Sequence, residues 1–480
     1  MNLRTVVFAA LFSAKCFNVF CQDGSIDPSF DPGLGTGSDG FISKVLAQSD
    51  GKIVIAGDFT SYNGTSRVNV ARLHADGTLD NGFVAATEMD RPVNTAVIQS
   101  NGKIILGGDF NYYNGAEWQG LVRLNTGGSL DASYVAGKSL KGVVYALAVQ
   151  GDGKVIVGGS YFFYFYPDVT NLTRLNNDGT PDNTFVTPWT GNISVTALAI
   201  QKDGKILAAC CDKRITRVNT DGSIDAAFDP GSGADGYGIN NIVVQDDGKI
   251  LISGEFTVYN GTARSGIARL NADGSLDTSF DPGTGVEEGR VVSMAIQADG
   301  KILAAGRFKY NGVTINGVAR LNENGSLDLS LDTGEGVKND GISGAVVNSM
   351  ALQNDGKILL AGHFSSYRET PQRSIVRLSN VKPGLTENQN DSHVRVYPVP
   401  AKDQLTLQCG TAIRAVKITD LLGKIVLSHQ PSGPGANARW TGSDPRQIEI
   451  YLPPGLLPGI YFVEIETDGG TVTEKVMVGE

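Results

Sequence analysis

Short runs of alternating apolar and polar residues, separated by turn residues, fill most of the 480-residue chain. In a typical example, residues 293–297 form one such run, an Asp-Gly pair follows, and residues 301–306 form the next run. Alternation with a period of two is typical of β-strands, and Asp-Gly between two strands is typical of a hairpin with a type I′ turn. The pattern therefore predicts an all-β protein.

This hairpin pattern recurs seven times, and each copy ends its turn with a lysine, at Lys52, Lys103, Lys154, Lys205, Lys249, Lys301 and Lys357. A second phrase, such as residues 268–280 (ARLNADGSLDTSF), follows each copy and predicts a second hairpin. We name the strands A (before the Lys turn), B (after it), C (the Arg-Leu-Asn run) and D (the Ser-Leu-Asp-x-x-Phe run). Four strands in each unit of about 50 residues indicate a β-propeller.

The two ends of the repeat region predict how the ring closes. The chain opens with an isolated D-like run at residues 25–30, and the seventh unit has strands A, B and C but no D. The first run is therefore expected to pair near residues 375–378 and complete the last unit, which removes the exposed sheet edges that a linear solenoid would keep. We expect a seven-bladed propeller over residues 22–380, closed by an N-terminal strand.

The seven units resemble the delta-60 repeat of secreted bacterial proteins. The phrases that carry the resemblance are Asp-Gly-Lys-Ile-Leu and Arg-Leu-Asn-x-Asp-Gly-Ser-Leu-Asp, which recur in the same order. The resemblance implies a propeller-type fold, and it implies no particular activity or ligand.

Loop lengths indicate which face of the propeller is free to vary. The strand C arginine and the strand D aspartate are eight residues apart in all six complete units, as in Arg72 and Asp80, and they are expected to pair within the blade. The B–C and D–A loops hold all of the length variation, so we expect the binding face there. The repeated aspartates of the A–B turns are interpreted as turn-forming residues.

Unit three departs from the repeat with six consecutive aromatic residues. These are candidate ligand-binding residues for a sugar or a protein: Tyr161, Phe162, Phe163, Tyr164, Phe165 and Tyr166. The alternative is that the run packs beneath unit four, whose B–C loop is eight residues shorter.

Acidic residues alternate with glycine in the D–A loops and form a candidate Ca²⁺ site. The carboxylates in question are Asp31, Asp39, Asp229 and Asp235, since Ca²⁺ prefers oxygen ligands. Simple turn formation is the alternative, because the spacing does not match an EF-hand. No other cofactor is expected.

Charge and composition narrow the function classes. The net charge of −10 disfavours nucleic acid as a partner, and the predicted propeller has two histidines, His74 and His363, without metal-ligand spacing or a nucleophile elbow. We expect a binding module for an extracellular glycan or protein rather than an enzyme. The alternative is an extracellular polysaccharide hydrolase that uses paired carboxylates in the propeller channel.

The N-terminus predicts a signal peptide over residues 1–21. Arg4 precedes a nine-residue apolar stretch at 6–14, which is shorter than a membrane span. We expect cleavage after Cys21, with cleavage after Ala14 as the alternative. Later windows are too polar to predict a transmembrane segment.

The C-terminus predicts a linker at residues 381–393 and a small β-sandwich at residues 394–480. This part resembles the type IX secretion C-terminal sorting domain through Tyr397, Pro398, Pro400, Gly459, Tyr461 and Lys475, although Val399 replaces a common asparagine. The resemblance implies a gram-negative bacterium, export through the periplasm, the type IX machinery as a partner, and a product that is secreted or attached to the outer cell surface. A plain adhesion sandwich is the alternative.

Overall fold

The structure is a computed structural model, and the chain divides into two compact units, residues 1–383 and 384–480. It describes residues 23–37, 40–138, 140–163, 166–189, 194–210, 215–339, 344–380, 395–397, 404–408, 412–420, 424–429, 438–439, 447–452, 456, 459–467 and 470–478. It describes the backbone alone for residues 162, 163, 166–170, 395–397, 404, 408, 429, 438, 439, 447–449, 459, 460, 467 and 470–478. Each unit is therefore described by itself.

The first unit contains seven antiparallel sheets of three strands each, in the order A–B–C, which form the seven blades. The A strands are Phe41–Ala47, Val93–Ile98, Leu140–Val149, Val195–Ile200, Gly238–Val244, Val286–Ile296 and Val346–Leu352. The B strands are Ile53–Asp58, Ile104–Gly108, Val155–Phe163, Ile206–Cys210, Ile250–Glu255, Ile302–Tyr310 and Ile358–His363. The C strands are Val70–Leu73, Leu121–Leu124, Tyr166–Leu175, Ile215–Val218, Ile267–Leu270, Val313–Leu321 and Ile375–Leu378.

The A strands are innermost, because each packs against the A strand of the next blade and the last packs against the first. Every A strand carries a β-bulge at the same position, at Ser43, Asn94, Tyr145, Thr196, Asn240, Val292 and Asn348, and the A strand of blade 6 has a second irregularity at Glu287. A bulge bends its strand and increases its twist, which suits strands that curve around an axis. These strands therefore form the wall of the central channel.

The N-terminal segment closes the ring as the sequence predicts. Ile26 pairs with Leu378, the Asp27 N–H donates to the Arg377 carbonyl at 2.9 Å, and the Ser379 N–H donates to the Ser25 carbonyl at 2.8 Å. The closing segment thus occupies the place that segment D takes in the other six blades.

Two local expectations are wrong. Segment D is not a full strand, since it joins strand C through one bridge, as between Leu73 and Leu79. It turns away at once, because the Phe83 N–H donates to the Asp80 carbonyl. The A–B turn is also not type I′: Gly51 has a positive φ of 83° but Asp50 does not, and the Gly51 N–H bonds the Gln48 carbonyl. A three-residue loop ending in a left-handed glycine explains this pattern.

The B–C and D–A loops pack on each other instead of standing free. Small hairpins interrupt the B–C loops at Ser61–Tyr62 with Thr65–Ser66, Tyr112–Tyr113 with Ala116–Glu117, Val258–Tyr259 with Thr262–Ala263, and Ser366–Tyr367 with Thr370–Pro371. The last of these also pairs with Val337–Lys338 in the D–A loop, and a 3-10 helix, Ala136–Lys138, lies in another D–A loop.

An asparagine at the tip of three of these hairpins, at Asn63, Asn114 and Asn260, holds the D–A loop that precedes it, and Arg368 takes this place in the fourth. Asn114 has a φ of 51°, which asparagine tolerates, and its Oδ1 accepts from the N–H of Thr87 at 2.8 Å. The hairpin tyrosines Tyr62, Tyr113, Tyr259 and Tyr367 are fully buried, and the hydroxyls of Tyr62 and Tyr367 donate to the carbonyls of Gly77 and Gly24. Much of the variable loop length is therefore used to cover the blades.

Each hydrophobic core of the propeller lies between neighbouring blades. One cluster joins Phe30 of the closing segment, Val45 and Tyr62 of blade 1, and Leu359 and Ile375 of blade 7. The seam between the first and last blades is thus packed like an ordinary blade interface.

The second unit contains two four-stranded antiparallel sheets. One consists of Arg395–Tyr397, Gln404–Gln408, Gln447–Tyr451 and Ala438–Arg439; the other consists of Ile425–His429, Ile413–Asp420, Gly459–Thr467 and Gly470–Val478. Residues of both sheets, including Leu407, Ile450, Val416 and Val463, share one buried core.

Candidate functional site

A buried aspartate with two cationic partners recurs in every blade. In blade 1 the Asp80 Oδ2 atom accepts from Arg72 Nε at 2.8 Å and from Lys52 Nζ at 3.1 Å. The other triads are Lys103, Arg123 and Asp131; Lys154, Arg174 and Asp182; Lys205, Arg217 and Asp225; Lys249, Arg269 and Asp277; Lys301, Arg320 and Asp328; and Lys357, Arg377 and Asp27. The predicted Arg–Asp pair is therefore present, and the turn lysine joins it.

The arginine of each triad also connects its blade to the next one. Arg72 Nη1 donates to the Thr126 carbonyl in the C–D turn of blade 2 at 2.6 Å, and its guanidinium lies 4.7 Å from the centre of the Phe83 ring. A guanidinium over an aromatic face gains from a cation–π interaction. The Asp-x-x-Phe phrase thus supplies both the anion and the ring that hold this arginine.

These contacts change the protonation of the aspartates. Burial by itself would raise the pKa of Asp27, but hydrogen bonds from Ser29 and Lys357 and the charge of Arg377 outweigh it and lower that pKa to about 2. The pKa of Asp80 falls to about 2 because its bonds to Lys52 and Arg72 outweigh burial in the same way. These carboxylates are therefore ionised at neutral pH, and each is held by the two cations of its triad.

The part of the propeller that the structure describes contains a cavity of about 450 Å³. This cavity lies at the junction of the closing segment, blade 7 and blade 1, which we call the seam. The lining residues belong to the closing segment, the A–B turns of both blades, the C–D turn of blade 1 and strand C of blade 7: Ser29, Gln48, Ser49, Gly51, Ala75, Asp76, Gln353, Asn354, Asp355, Lys357 and Arg377. We call it the seam cavity. Its volume lies within the range of small-molecule sites.

The wall of the seam cavity presents hydrogen-bond donors and acceptors. The Gln48 Oε1 atom is buried and has no hydrogen-bond partner among the described residues. Asn354 adds an amide, Ser29 a hydroxyl and Asp76 a carboxylate. Such a set matches a polyhydroxylated ligand, whose hydroxyl groups both donate and accept.

Sequence reasoning missed this cavity, because it expected the binding face at the B–C and D–A loops. The cavity lies among the short A–B and C–D turns instead, and its lining combines residues from both ends of the propeller. The one signal in the sequence was the predicted closure itself.

The aromatic run of blade 3 is described in part. Tyr161 is 4% exposed, and its hydroxyl donates to the Val157 carbonyl at 2.7 Å, so its side chain belongs to the core. The backbones of Phe162, Phe163 and Tyr166 lie in strands B and C. Tyr164 and Phe165 lie outside the described residues.

The candidate Ca²⁺ residues that the structure describes accept hydrogen bonds from backbone N–H groups of the loops. Asp31 and Asp229 each accept from the N–H two residues later, and Asp235 accepts from the N–H groups of Thr257 and Val258. Asp39 lies outside the described residues. Among the side chains that the structure describes, no three His, Cys, Asp or Glu residues gather as metal ligands would.

The predicted sorting residues belong to the second unit. Tyr397 pairs with Thr406, Gly459 with Val478, and Lys475 with Phe462, while Tyr461 is buried in the core. Pro398 and Pro400 lie outside the described residues, as do the predicted signal peptide and linker.

Comparison with protein families identifies both parts of the chain. The β-propeller family described as a domain of unknown function, DUF5122, matches seven times, at residues 48–83, 99–134, 150–185, 201–228, 245–280, 297–331 and 353–380. The secretion system C-terminal sorting domain matches residues 395–479. The chain belongs to this propeller family and carries a type IX sorting domain, which directs export to the cell surface or the medium.

Individual relatives are distant. A putative surface-exposed virulence protein of Salmonella typhimurium, BigA, is 25% identical over 325 residues, which cover 60% of this chain and 15% of that protein. The extracellular domain of a putative hybrid two-component system of B. thetaiotaomicron is 12% identical with a TM-score of 0.42, covering 93% of this chain and 56% of the other. PorZ, a surface component of the type IX system of Porphyromonas gingivalis, is 13% identical with a TM-score of 0.32, and the match covers 92% of this chain and 66% of PorZ.

The part of the chain that the structure describes contains no helix long and apolar enough to cross a membrane.

Proposed function

We propose that this exported propeller is a surface binding module for an extracellular glycan, and that the seam cavity holds the saccharide. The observation that supports this proposal is the polar lining of the 450 Å³ cavity, which brings together the Gln48, Gln353 and Asn354 amides, the Ser29 hydroxyl and the Asp76 carboxylate. The Gln48 Oε1 atom has no hydrogen-bond partner among the described residues, as is also true of Gln99, Gln150, Gln245 and Gln297, but Gln48 lines the cavity and could accept from a ligand hydroxyl there.

The seam cavity also offers groups of opposite hydrogen-bonding character within one recess. The Lys357 ammonium bonds Asp27 at 3.1 Å and approaches Asp355 at 3.4 Å, so cation and carboxylates lie side by side. The Asn354 and Gln353 amides can each donate and accept. A protein partner remains the second ligand class to test, and the predicted aromatic surface of blade 3 is where we expect it.

The test is a glycan and protein array probed with the purified mature protein, with and without Ca²⁺, followed by calorimetry on any ligand found. Gln48→Ala and Asn354→Ala should each weaken glycan binding, by about two- to tenfold for one lost hydrogen bond. Blade 6 carries Ala298 at the position of Asn354, so an alanine fits this turn.

The matched control is Gln245→Ala, because Gln245 occupies the place of Gln48 in blade 5, has the same unpaired Oε1 atom and does not line the cavity. Equal affinity in Gln48→Ala, Asn354→Ala and the control would contradict the proposed site. Release of free sugar from an arrayed glycan would instead support the polysaccharide hydrolase.

A further inference from the structure

One stretch of the channel wall, from the bulge of each A strand to the end of that strand, holds a single charged side chain, Lys44. It follows the bulge of strand A in blade 1, and the residues at the same position in the other blades are short and neutral: Thr95, Ala146, Ala197, Asn241, Ser293 and Ser349. From the bulge to the end of each A strand, all of which the structure describes, Lys44 is the single Lys, Arg, Asp or Glu.

The equivalent residues show where this side chain points. Ser349 Oγ of blade 7 accepts from the Val45 N–H of blade 1 at 3.1 Å, and Ser293 Oγ of blade 6 accepts from the Met350 N–H of blade 7 at 3.3 Å. Each therefore reaches the A strand of the following blade. Lys44 points towards blade 2 in the same way, on the side of Leu46, which packs against the cluster shared by blades 1 and 2.

The Lys44 ammonium has no ionic partner among the described residues. The strands packed against its own are strand B of blade 1, strand A of blade 2, and strands A and B of blade 7. Their ionisable side chains are Asp58 and His363, which lie at strand ends opposite Phe41 and Val346, whereas Lys44 lies opposite Ala56.

Burial without a counter-charge lowers the pKa of Lys44. A half-buried cation of this kind is costly for the folded state, and its cost falls when an anion pairs with it. The Thr, Ser and Ala residues of the other blades show that the fold has no need for a lysine at this position.

We propose that Lys44 is an anion-binding residue in the wall of the propeller channel, and that it takes a sulfate or carboxylate group. The group belongs either to a free oxyanion or to an acidic saccharide, and both share the charge and the acceptor oxygens that an ammonium recognises. This inference is independent of the seam cavity, which lies among the turns at the junction of blades 1 and 7.

The experiment measures the melting temperature of the mature protein and its Lys44→Thr variant in sodium sulfate, sodium glucuronate and, as an ionic-strength control, sodium chloride. Thr95 shows that threonine fits this position. Sulfate or glucuronate should raise the melting temperature of the wild-type protein more than chloride, because a ligand bound to the folded state stabilises it. Excluded sulfate stabilises folded proteins in general, so the measure of binding is the difference between the wild-type and Lys44→Thr shifts in the same salt. This difference should be positive in sulfate and glucuronate and absent in chloride, and Lys44→Arg should restore the wild-type shift.

A titration distinguishes anion binding from a structural role. Acetylation of individual lysines, followed by mass spectrometry across a pH series, should show Lys44 reacting at lower pH than Lys309, which is paired with Glu287 at 3.1 Å. The bound anion should move the Lys44 profile to higher pH and leave Lys309 unchanged. Equal melting shifts of the wild-type protein and Lys44→Thr in each salt, together with an unmoved Lys44 profile, would overturn the proposal. A difference between the two proteins in glucuronate but not in sulfate would assign the group to an acidic saccharide.

Discussion

The Nε atom of Arg377 donates a hydrogen bond to Asp27 Oδ2 at 2.7 Å, although 350 positions separate the two residues. In the other blades the same bond, at 2.7–2.8 Å, joins residues eight positions apart within one hairpin. Lys357 completes the triad at the seam as Lys52 does in blade 1. The seam therefore has the chemistry of an ordinary blade and differs only in how the chain is connected.

Asp27→Asn should destabilise the propeller strongly, because it removes the charge that two buried or half-buried cations share. Loss of one partner of a buried ion pair costs about 3–5 kcal/mol. Asp277→Asn in blade 5 should cost a similar amount, since Arg269 and Lys249 bond it in the same way. Urea denaturation at neutral pH measures both free energies of unfolding.

The control for this pair of variants is Asp246→Asn, whose partner Lys202 is exposed to solvent. Exposed pairs contribute little, so this change should leave the free energy of unfolding nearly unaltered. If Asp27→Asn were as mild as the control, the triad would not hold the seam.

The stability of the protein should fall in acid as the triad aspartates take up protons. The pKa values of Asp27, Asp80 and Asp225 are lowered to about 2 from 3.8, and those of Asp131, Asp182, Asp277 and Asp328 are lowered as well. A lowered pKa contributes stability above the unfolded value, and this contribution is lost as the pH falls through 3.8 towards 2.

Urea denaturation from pH 7 to pH 3 checks this expectation, with roughly constant stability above about pH 5 and a steep loss below about pH 4. Asp23 acts in the opposite direction, because burial outweighs its contact with Arg320 and raises its pKa. Because only one pKa is set against those of the seven triad aspartates, acid is still expected to lower the free energy of unfolding. A flat profile down to pH 3 would contradict the assignment.

Deletion of residues 23–30 should open the ring. The deletion removes Asp27 from the last triad, Phe30 from the core between blades 1 and 7, and the pairing partner of Leu378. The exposed edge of strand C invites pairing with a second chain. We expect a lower melting temperature and oligomers in size-exclusion chromatography; a monomer with unchanged melting temperature would contradict closure by this segment.

The closure and the Arg–Asp pair could be predicted from the sequence because both depend on local, repeated patterns. An isolated D-like phrase at one end and a missing one at the other specify which segments must meet. The constant eight-residue spacing keeps Arg72 and Asp80 opposite each other across one short hairpin. Repetition supplied seven copies of the same signal.

Features that depend on packing between blades left no such signal. The lysine of the A–B turn was interpreted as a turn residue, yet Lys103 reaches Asp131, 28 positions later, because strands A, B and C bring the two turns together. Variation in loop length predicted a binding face at the B–C and D–A loops, and it did not indicate that Asn114 ties its hairpin to the neighbouring D–A loop. The seam cavity needs residues from both ends of the propeller, so no local window contains it.

The sorting domain should be sufficient for export, and its last strand should be necessary. Gly470–Val478 pairs along its whole length with Gly459–Thr467, which carries the buried residues Val463 and Ile465 into the core. Removal of residues 470–480 would leave that strand without its neighbour on one edge.

A reporter placed between a signal peptide and residues 381–480 should reach the surface or the medium of a bacterium with the type IX system. The same fusion ending at residue 469 should accumulate in the periplasm, as fractionation and immunoblotting would measure. Periplasmic retention of the complete fusion would contradict sufficiency, and export of the shortened one would show that the last strand is dispensable.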